Sequence, residues 1–524
     1  MDTSVVWTDY FEGHHENVLR AGLFSAEIMH VCGLSLVALG RFDEAITLFT
    51  ASLHASPNPT WFNNASVALL DAGKAQDALH FAETGLSQFQ DANLLFSAGN
   101  ACIALGEDRY PEAIQFFSKA LELEPTHWDA AMNLGNTLRR MDKNQEAMTF
   151  YRRALDNVTD NEAAIRIRLN AAITLSDIGR EVEALSILDE LANTGVVLSP
   201  EMDFNRATLR LKLGDYETGW KLYQRRWDCG MAAEEASHFK KPLLTNLEDA
   251  KGKTILFRHE QGFGDSIMFF RYARLLAQEA NVIVQCPEPL KRLFAASTAL
   301  PVVSDEPVEY DFECPMLSAP MLLGTTLETI PSETDYRYLW PPSDGFKDAH
   351  AKLGELKDFK VGLVWAGQRR DTLDMVRVDK ARSIPAYLMM PLFNIEGVQM
   401  VNLQFGEKAM EWDNSVPVFA PQLKGKLLHV LEDHYDFADT AAIIEHLDLV
   451  ITVDTAVAHL AAALGKPTWV LSRYDGCWRW LKDRSDSPWY PSVGLFRQTQ
   501  PGDWDTVIRK VEENLRWFSK NKHR

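Results

Sequence analysis

The sequence predicts an α-solenoid followed by an α/β region that contains two doubly wound parallel sheets. Two observations support this fold class. In the first part of the chain, small residues recur at intervals of 33 to 37 residues, which is typical of stacked helical pairs. From Lys253 onward, short runs rich in β-branched residues alternate with helical stretches, as they do in parallel α/β units.

The composition is that of an ordinary globular protein, with 46% apolar and 24% charged residues in a chain of 524. The net charge of −20 is expected to repel nucleic acid and anionic membranes, so neither is predicted as a partner. The sequence shows no apolar run that could span a membrane and no signal-peptide pattern at its start. Its six cysteines are widely scattered, which predicts a cytoplasmic protein without a disulfide framework or a zinc site.

Six small residues in phase define the repeats. Such residues are needed where two antiparallel helices approach closely, and large aromatic residues such as Phe49, Phe117 and Tyr151 are predicted to fill the space between repeats. The small residues are Gly33, Ser66, Gly99, Gly135, Ala172 and Ala207. Glycines recur seven residues further on, where the first helix of each pair must turn sharply. They are Gly40, Gly73, Gly106, Gly179 and Gly214.

These repeats resemble the tetratricopeptide repeat, whose closing segment is similar to residues 121–125, and about six repeats cover residues 25–228. Such arrays form a superhelix with a long concave face. Four repeats carry an amide side chain two residues before the small residue, facing the groove, where it could grip the backbone of an extended peptide. These residues are Asn64, Asn133, Asn170 and Asn205. Alternatively, Asn is simply common at this position of the repeat.

The second part of the chain contains six predicted strands. Two sheets in tandem, separated by a Pro-containing connector at residues 338–343, leave a cleft that faces the carboxyl ends of their strands. The cleft is therefore where a functional site is expected. The strands are predicted at residues 254–259, 282–286, 360–367, 398–404, 447–453 and 467–471, and helices at 265–280 and 505–519.

The first motif at this cleft lies between a predicted strand and a helix, at residues 259–266. Its Gly262 and Gly264 are expected to permit close backbone approach and a positive φ. Asp265 falls at the start of the helix, where it could be an N-cap. Because an isoleucine replaces the third glycine of G-x-G-x-x-G, a dinucleotide-binding dehydrogenase is disfavoured.

The second motif begins where a strand ends at Asp454 and a helix of small residues starts at once. The backbone amides of Thr455, Ala456 and Val457 are predicted to form an anion site that the helix dipole reinforces. His459 lies in the first turn, close enough to face a bound anion. The alternative is a tightly packed helix with a capping Asp and a hydrogen-bonded His.

A group of cationic side chains is predicted to add positive charge at this cleft, as a bound phosphate would require. Its members are Lys380, Arg382, Arg473, Arg479 and Arg484.

Several motifs follow one another in a recognisable order along this part of the chain. They are residues 259–266, Arg382-Ser383, Leu403-Gln404, and residues 436–442, 453–461, 478–480, 487–491 and 496–498. Together they resemble bacterial tetratricopeptide-repeat glycosyltransferases whose catalytic half is similar to the heptosyltransferases, a GT-B fold of two Rossmann-like domains. The architecture is also similar to that of O-GlcNAc transferase. The resemblance covers almost the whole chain from about residue 25 and does not specify the donor sugar.

The resemblance also implies the domain organisation: a repeat domain at residues 1–228, a linker at 229–252, an acceptor-side domain at 253–345 and a nucleotide-sugar domain at 346–524.

The resemblance implies roles for individual residues on the acceptor side and near the phosphates. Asp265 matches the Asp that is the proposed general base of heptosyltransferases, and His259 is the reserve candidate. Arg382, followed by Ser383, stands where a basic residue near the phosphates is expected. Residues 368–374 lack the Asn and His expected in this loop, so donor contacts there are in question.

On the donor side, the resemblance is carried by the second motif. Asp454, Thr455, Ala456 and His459 match the Asp-Thr-Gly-x-x-His that holds the nucleotide diphosphate. Here Ala456 replaces the usual Gly. Its Cβ leaves less room for the diphosphate to approach the backbone, but the backbone N–H of residue 456 remains available to bind it.

The expected function is therefore a metal-independent transfer of a sugar from a nucleotide-sugar donor to a Ser or Thr hydroxyl of a protein held by the repeats, with flagellin as the acceptor that the family suggests. Metal-dependent sugar transfer usually shows Asp-x-Asp at a strand end, whereas the plausible copy at residues 503–505 opens the last helix. No metal or other cofactor is expected. Transfer to a lipid-linked or polysaccharide acceptor, and a non-catalytic repeat scaffold with a degenerate GT-B region, are the alternatives.

Overall fold

A computed structural model describes residues 3–22, 25–330, 337–367, 373–432 and 435–521. The chain forms two compact units, Met1–Thr194 and Gly195–Arg524. No helix in these described ranges is both long and apolar enough to cross a membrane.

The described part of the first unit is built from helices, which pack in consecutive pairs from α3 onward. The predicted α-solenoid is thereby confirmed for this unit. The helices are α1 (Thr3–Phe11), α2 (His15–Leu19), α3 (Ala26–Ala38), α4 (Phe42–Ala55), α5 (Pro59–Asp71), α6 (Ala75–Leu86), α7 (Ala92–Leu105), α8 (Tyr110–Leu123), α9 (Trp128–Arg140), α10 (Asn144–Asn157), α11 (Asn161–Asp177) and α12 (Glu181–Asn193).

The small residue of a repeat makes room for an aromatic ring of the same repeat. In three repeats a Cβ on the glycine would lie 2.5 to 2.8 Å from the ring of a fully buried aromatic residue, in the pairs Gly33–Phe49, Gly99–Phe117 and Gly135–Tyr151. The sequence placed these rings between repeats. The structure packs each ring against the first helix of its own pair, and the Phe49 ring also contacts the ring of Phe81 in the next repeat. The five predicted turn glycines all have a positive φ, and Asp142, which takes their place in the fourth repeat, has a φ of 61°.

The sixth repeat belongs to the second unit. Its helices are α13 (Pro200–Leu213) and α14 (Tyr216–Tyr223), and a short helix α15 (Gly230–Ala236) follows. Trp220 of α14 is buried against the rings of Trp478 and Trp489, and Trp489 Nε1 donates a hydrogen bond to Tyr216 Oη at 2.9 Å. Because this packing joins α14 to the α/β region, the second compact unit begins at Gly195, well before the predicted boundary at residue 228.

The first sheet of the second unit has four parallel strands in the order β3-β2-β1-β4. Its strands are β1 (Thr254–Arg258), β2 (Asn281–Gln285), β3 (Val302–Val303) and β4 (Phe312–Pro315). Its helices are α16 (Phe263–Phe269), α17 (Arg271–Leu276), α18 (Glu288–Ser297) and α19 (Ala319–Leu322). The single helix predicted at residues 265–280 is thus two short helices.

The second sheet has six parallel strands in the order β10-β9-β8-β5-β6-β7. Its strands are β5 (Phe359–Val364), β6 (Val398–Asn402), β7 (Leu427–His429), β8 (Leu449–Val453), β9 (Thr468–Ser472) and β10 (Val493–Arg497). The helices are α20 (Gly345–Leu353), α21 (Leu373–Arg382), α22 (Glu411–Phe419), α23 (Phe437–Glu445), α24 (Ala456–Ala463) and α25 (Trp504–Asn521). The prediction of two parallel sheets is confirmed.

Strand order reverses beside β1 in the first sheet and beside β5 in the second. The chain passes from β1 to β2 on one side and later returns to β4 on the other, and β5 has β6 and β8 as its neighbours in the same way. Ligands of open α/β sheets bind at such points, outside the carboxyl ends of the strands. A ligand site is therefore expected at the loops that follow β1, β5 and β8.

Candidate functional site

Two helices that follow these strands meet at their first turns. α16 comes after β1, and α24 comes after β8. A Cβ on Gly264 would lie 2.9 Å from His459 Cδ2 and 3.5 Å from Ala456 Cα. The close backbone approach predicted for Gly264 is therefore confirmed, because a side chain there would hold the two helix starts apart.

The predicted positive φ at the two glycines was wrong. Gly262 has a φ of −95° and Gly264 lies inside α16, whereas Gln261 has a φ of 60°. Gln261 Nε2 donates to Tyr223 Oη at 3.1 Å, and Gln261 Oε1 accepts from Arg479 Nη2 at 3.5 Å. These contacts hold a backbone conformation that residues other than glycine seldom adopt.

Both carboxylate oxygens of Asp265 are engaged. Oδ2 accepts a hydrogen bond from the backbone N–H of Gly262 at 3.3 Å, which closes the first turn of α16. Oδ1 forms an ion pair with Nη2 of Arg479, and the two side chains are only 15% and 13% exposed. Burial alone would lower the pKa of Arg479, but the charge of Asp265 raises that pKa well above its ordinary value. The capping contact is thus present, and the role of Asp265 as a base stays a prediction.

His259 lies directly after β1 and is half-buried. Its Nδ1 is buried and has no hydrogen-bond partner among the residues the structure describes. Burial lowers the pKa of His259, and the neighbouring Arg258 lowers it further. A lowered pKa keeps the ring neutral near pH 7, and the neutral ring is the form that can accept a proton. Its role as the reserve base stays a prediction.

A buried ion pair that the sequence analysis missed lies beneath this loop. The side chains of Arg226 and Glu260 are 2% and 1% exposed. Arg226 donates from Nε and Nη2 to the two oxygens of Glu260 at 2.9 and 2.8 Å. Glu260 also accepts from the backbone N–H of Leu317 at 2.8 Å. The pair ties the segment after α14 to the loop after β1, and no spacing in the sequence relates these segments.

The start of α24 presents the open amides that the sequence predicted. Its N-cap is Thr455, whose side chain makes no capping hydrogen bond. Within the described part of the chain, the backbone N–H groups of Ala456 and Val457 have no acceptor, so both can bind an anion. Asp454 is not the cap, because its Oδ1 instead accepts from Trp480 Nε1 at 2.8 Å.

His459 is buried and hydrogen-bonded. Its Nδ1 shares a hydrogen bond of 3.1 Å with Tyr490 Oη, and its ring stacks on Trp480 at a centroid distance of 5.0 Å. Burial lowers the pKa of His459 to about 4, although Asp454 and Asp265 oppose this effect. The ring is therefore neutral at pH 7 and can offer an anion a hydrogen bond but no full charge.

Arg382 lies beside the start of α24, as predicted. Its Nη1 donates to the backbone oxygen of Asp454 at 3.2 Å, and its Nε and Nη2 donate to Asp379 Oδ1 at 3.0 and 2.9 Å. A Cβ on Gly367 would clash with both Arg382 and Asp379. Ser383 Oγ accepts from the backbone N–H of Gly367 at 3.2 Å. Gly367, in the segment after β5, thus leaves space for the side chain of Arg382.

The loop after β5 is held in place by Gln404. Its Oε1 accepts from the backbone N–H groups of Trp365 and Ala366 at 3.2 and 2.9 Å, and its Nε2 donates to the Ala366 oxygen at 3.1 Å. The sequence put donor contacts in the loop at residues 368–374 in question. Residues 368–372 of this loop lie outside the described residues.

The other predicted cations do not join Arg382 and Arg479. Arg473 pairs with Asp475 at 3.0 Å, and Arg484 pairs with Asp486 at 2.6 Å. Lys380 is exposed on α21. Of these five predicted cations, Arg382 and Arg479 are the ones with contacts to the two helix starts among the residues that the structure describes.

In the first unit, the amide position of the repeat joins neighbouring helices. Asn133 Nδ2 donates to Asn100 Oδ1 at 2.7 Å. Ser97, at the same position one repeat earlier, donates to Asn63 Oδ1 at 2.7 Å. The half-buried residues at this position in other repeats are Asn64, Asn170 and, in the second unit, Asn205. Binding of a peptide by the four asparagines stays a prediction.

Comparison with known proteins supports both parts of this description. The tetratricopeptide repeat family matches residues 33–92 and 104–166, and glycosyltransferase family 9 (heptosyltransferase) matches residues 419–473. The latter range includes β8 and α24. The protein FlbA of Caulobacter vibrioides is 27% identical over 531 residues, which cover 94% of this chain and 84% of FlbA.

Solved structures also show similarity. MamA is 21% identical and covers 31% of this chain and 94% of its own, with a TM-score of 0.28. A structure of pilF from Pseudomonas aeruginosa is 19% identical and covers 40% of this chain and 96% of its own, with a TM-score of 0.34. The repeat matches, the family 9 match and the similarity to FlbA together support a tetratricopeptide-repeat glycosyltransferase.

Proposed function

We propose that this protein transfers a sugar from a nucleotide-sugar donor to a Ser or Thr hydroxyl of a protein acceptor, in a cleft of GT-B type. The observation that carries the proposal is the meeting of two helix starts at the carboxyl ends of two parallel sheets. One start bears the carboxylate of Asp265, and the other bears open amides beside Arg382.

The donor phosphate would bind at the start of α24. The free N–H groups of Ala456 and Val457, the helix dipole and the guanidinium of Arg382 all favour an anion at this place. Electrostatic groups of this kind stabilise a departing phosphate by about 3–4 kcal/mol each. Because side chains and amides supply this positive charge, we propose a reaction that needs no metal or other cofactor.

The acceptor side would be organised by the loop after β1. The acceptor oxygen forms a bond with the anomeric carbon while the bond between that carbon and the phosphate oxygen breaks. The acceptor proton passes to Asp265, or to His259 as the reserve, and the nucleotide leaves with the electron pair of the broken bond. Neutral His459 can donate or accept a hydrogen bond beside the departing phosphate.

The repeats would recruit the acceptor protein. Flagellin is the acceptor that the family resemblance suggests and is the first to test. If the asparagine position of the repeats binds the acceptor backbone, replacing Asn133 and Asn170 together by Ala should weaken acceptor binding. All six cysteines have free thiols, which suits a reducing compartment, and we propose that the reaction occurs in the cytoplasm.

The first test is a thermal-shift panel with UDP, CMP, GDP and ADP at millimolar concentration. A ligand at 100 times its Kd stabilises the protein by about 2.7 kcal/mol, so the nucleotide of the donor should raise the melting temperature clearly. Arg382→Ala should abolish this increase, whereas Arg516→Gln, on the exposed face of α25, should retain it. If no nucleotide raises the melting temperature of the unaltered protein, the proposal fails and a non-catalytic scaffold is favoured.

The second test is transfer itself. Incubation of the protein with the matching nucleotide sugar and flagellin should add the mass of the sugar to flagellin, as measured by mass spectrometry. Asp265→Asn should retain nucleotide binding but lose transfer. Full transfer by that variant would remove Asp265 from the mechanism, and transfer only to a lipid-linked or polysaccharide acceptor would refute the protein acceptor.

A further inference from the structure

Arg479 is held between the two helix starts by contacts on several sides. It belongs to the short helical turn Trp478–Trp480 after β9. Its guanidinium lies over the Trp478 ring, 4.4 Å from the centroid, and its Nη1 donates to Cys477 Sγ at 3.1 Å. Its Nη2 contacts the carboxylate of Asp265. The side chain therefore has a defined position and directs its charge at the start of α16.

The next residue in the chain connects the same turn to the start of α24. Trp480 donates from Nε1 to Asp454 at 2.8 Å and stacks on the ring of His459. The backbone that carries Arg479 is thus fixed to the helix whose open amides would bind the donor phosphate. Arg479 contacts the start of α16, which in turn packs against the start of α24 at Gly264. Its planar fork matches phosphate oxygens in geometry.

We propose that Arg479 binds the donor phosphate and that its ion pair with Asp265 is exchanged for this contact when the nucleotide binds. The inference rests on the proposed function. It adds Arg479 as a ligand of the donor phosphate, and it adds that the donor binds before Asp265 takes the acceptor proton. Before the donor binds, Arg479 occupies Oδ1 of Asp265 and the Gly262 amide occupies Oδ2. When Arg479 turns to the phosphate, Oδ1 becomes free to accept the acceptor proton.

This exchange has a mechanistic consequence. While Arg479 is paired with Oδ1, an acceptor hydroxyl has to compete with the guanidinium for this oxygen, so Asp265 is better placed to take the proton after the donor has drawn Arg479 away. Deprotonation of the acceptor is thereby coupled to the presence of the donor. The nucleotide phosphate can displace the Asp265 carboxylate from Arg479 because it carries more negative charge. It also accepts hydrogen bonds from the backbone N–H groups at the start of α24.

The experiment measures the Kd of the nucleotide that the panel of UDP, CMP, GDP and ADP identifies. Arg479→Gln should weaken binding by about 10- to 100-fold, the range for one charge-assisted hydrogen-bond contact, and Arg479→Lys should fall between this variant and the unaltered protein. Asp265→Asn should bind at least as tightly as the unaltered protein, because no carboxylate competes for Arg479. The double variant should bind as weakly as Arg479→Gln alone.

Arg516→Gln is the matched control, since Arg516 also pairs with a carboxylate, Glu512, but on the surface of α25. Its Kd should equal that of the unaltered protein. Circular dichroism of each variant without nucleotide tests whether it is folded, and the Lys variant retains the charge if the Gln variant does not fold.

Two results would overturn the inference alone. Nucleotide binding by folded Arg479→Gln with an unchanged Kd would show that Arg479 does not contact the phosphate. A loss of affinity in Asp265→Asn equal to that in Arg479→Gln would show that the two residues act as one structural pair, without exchange. Failure of the unaltered protein to bind any of the four nucleotides would instead overturn the proposed function together with this inference.

Discussion

Gly264→Ala tests the contact on which the candidate site depends. The added Cβ would lie 2.9 Å from His459 Cδ2, about half an ångström inside ordinary van der Waals contact. His459 cannot move away easily, because its ring is stacked on Trp480 and hydrogen-bonded to Tyr490. Overpacking of this kind costs about 1–3 kcal/mol, and the better helix propensity of Ala offsets about 1 kcal/mol of it. We expect a net loss of stability of about 0–2 kcal/mol and weaker nucleotide binding.

The matched control is Gly262→Ala in the same loop. A Cβ there would meet only Asp265 Oδ2, at 3.6 Å, and the φ of −95° suits any residue. The cost should be less than about 1 kcal/mol, from the N-cap preference alone. Urea unfolding followed by tryptophan fluorescence measures both variants, and the nucleotide Kd reports on the site. Equal stability and equal Kd in Gly264→Ala and the unaltered protein would refute the argument that this glycine permits the two helix starts to meet.

Three further predictions concern stability. Glu260→Ala leaves Arg226 buried without its carboxylate and should cost about 3–5 kcal/mol in urea unfolding, whereas Glu512→Ala on the surface should cost about 0–1 kcal/mol. Asp142→Gly relieves a φ of 61° and should raise the melting temperature of the repeats by stabilising them about 1 kcal/mol; a lower melting temperature would contradict this. His30 is fully buried, neither ring nitrogen has a partner in the described part of the chain, and burial lowers its pKa to about 4. Because the unfolded chain binds a proton near pH 6.5 that the folded chain does not, the first unit should lose up to about 3 kcal/mol as the pH falls from 6.5 to 4, and His30→Phe should reduce this slope.

The sequence was sufficient for features that arise from short-range spacing. The interval between small residues predicted the helical pairs. In five of the six repeats, the interval from the small residue to a glycine predicted where the first helix ends in a turn. Each of the six predicted strands overlaps a strand of the structure, because parallel strands buried on both faces are continuous apolar runs. Four strands were missed: β3, β4, β7 and β10. Three of them have only two to four residues, too few to show a pattern.

The sequence also predicted which residues lie near the cleft. Asp265 and the segment from Asp454 to His459 come soon after parallel strands, whose carboxyl ends collect at one edge of a sheet. Arg382 was placed near the phosphates by the family resemblance. The sequence could not show what each side chain contacts there. It left Asp265 open between a cap and a base. It offered Asp454 as the cap of α24 only as an alternative, whereas Thr455 occupies that position.

Only the tertiary structure decided the partners. Arg479 is paired with Asp265, and Arg226 with Glu260, across segments that lie far apart in the chain. The same holds for Gly264, whose missing side chain is explained by His459 on another helix. Local spacing determines periodicity and the ends of elements because these depend on neighbouring residues. Ion pairs and close helix contacts depend on which separate elements pack against each other. That packing is determined by the burial of apolar surface throughout the compact unit.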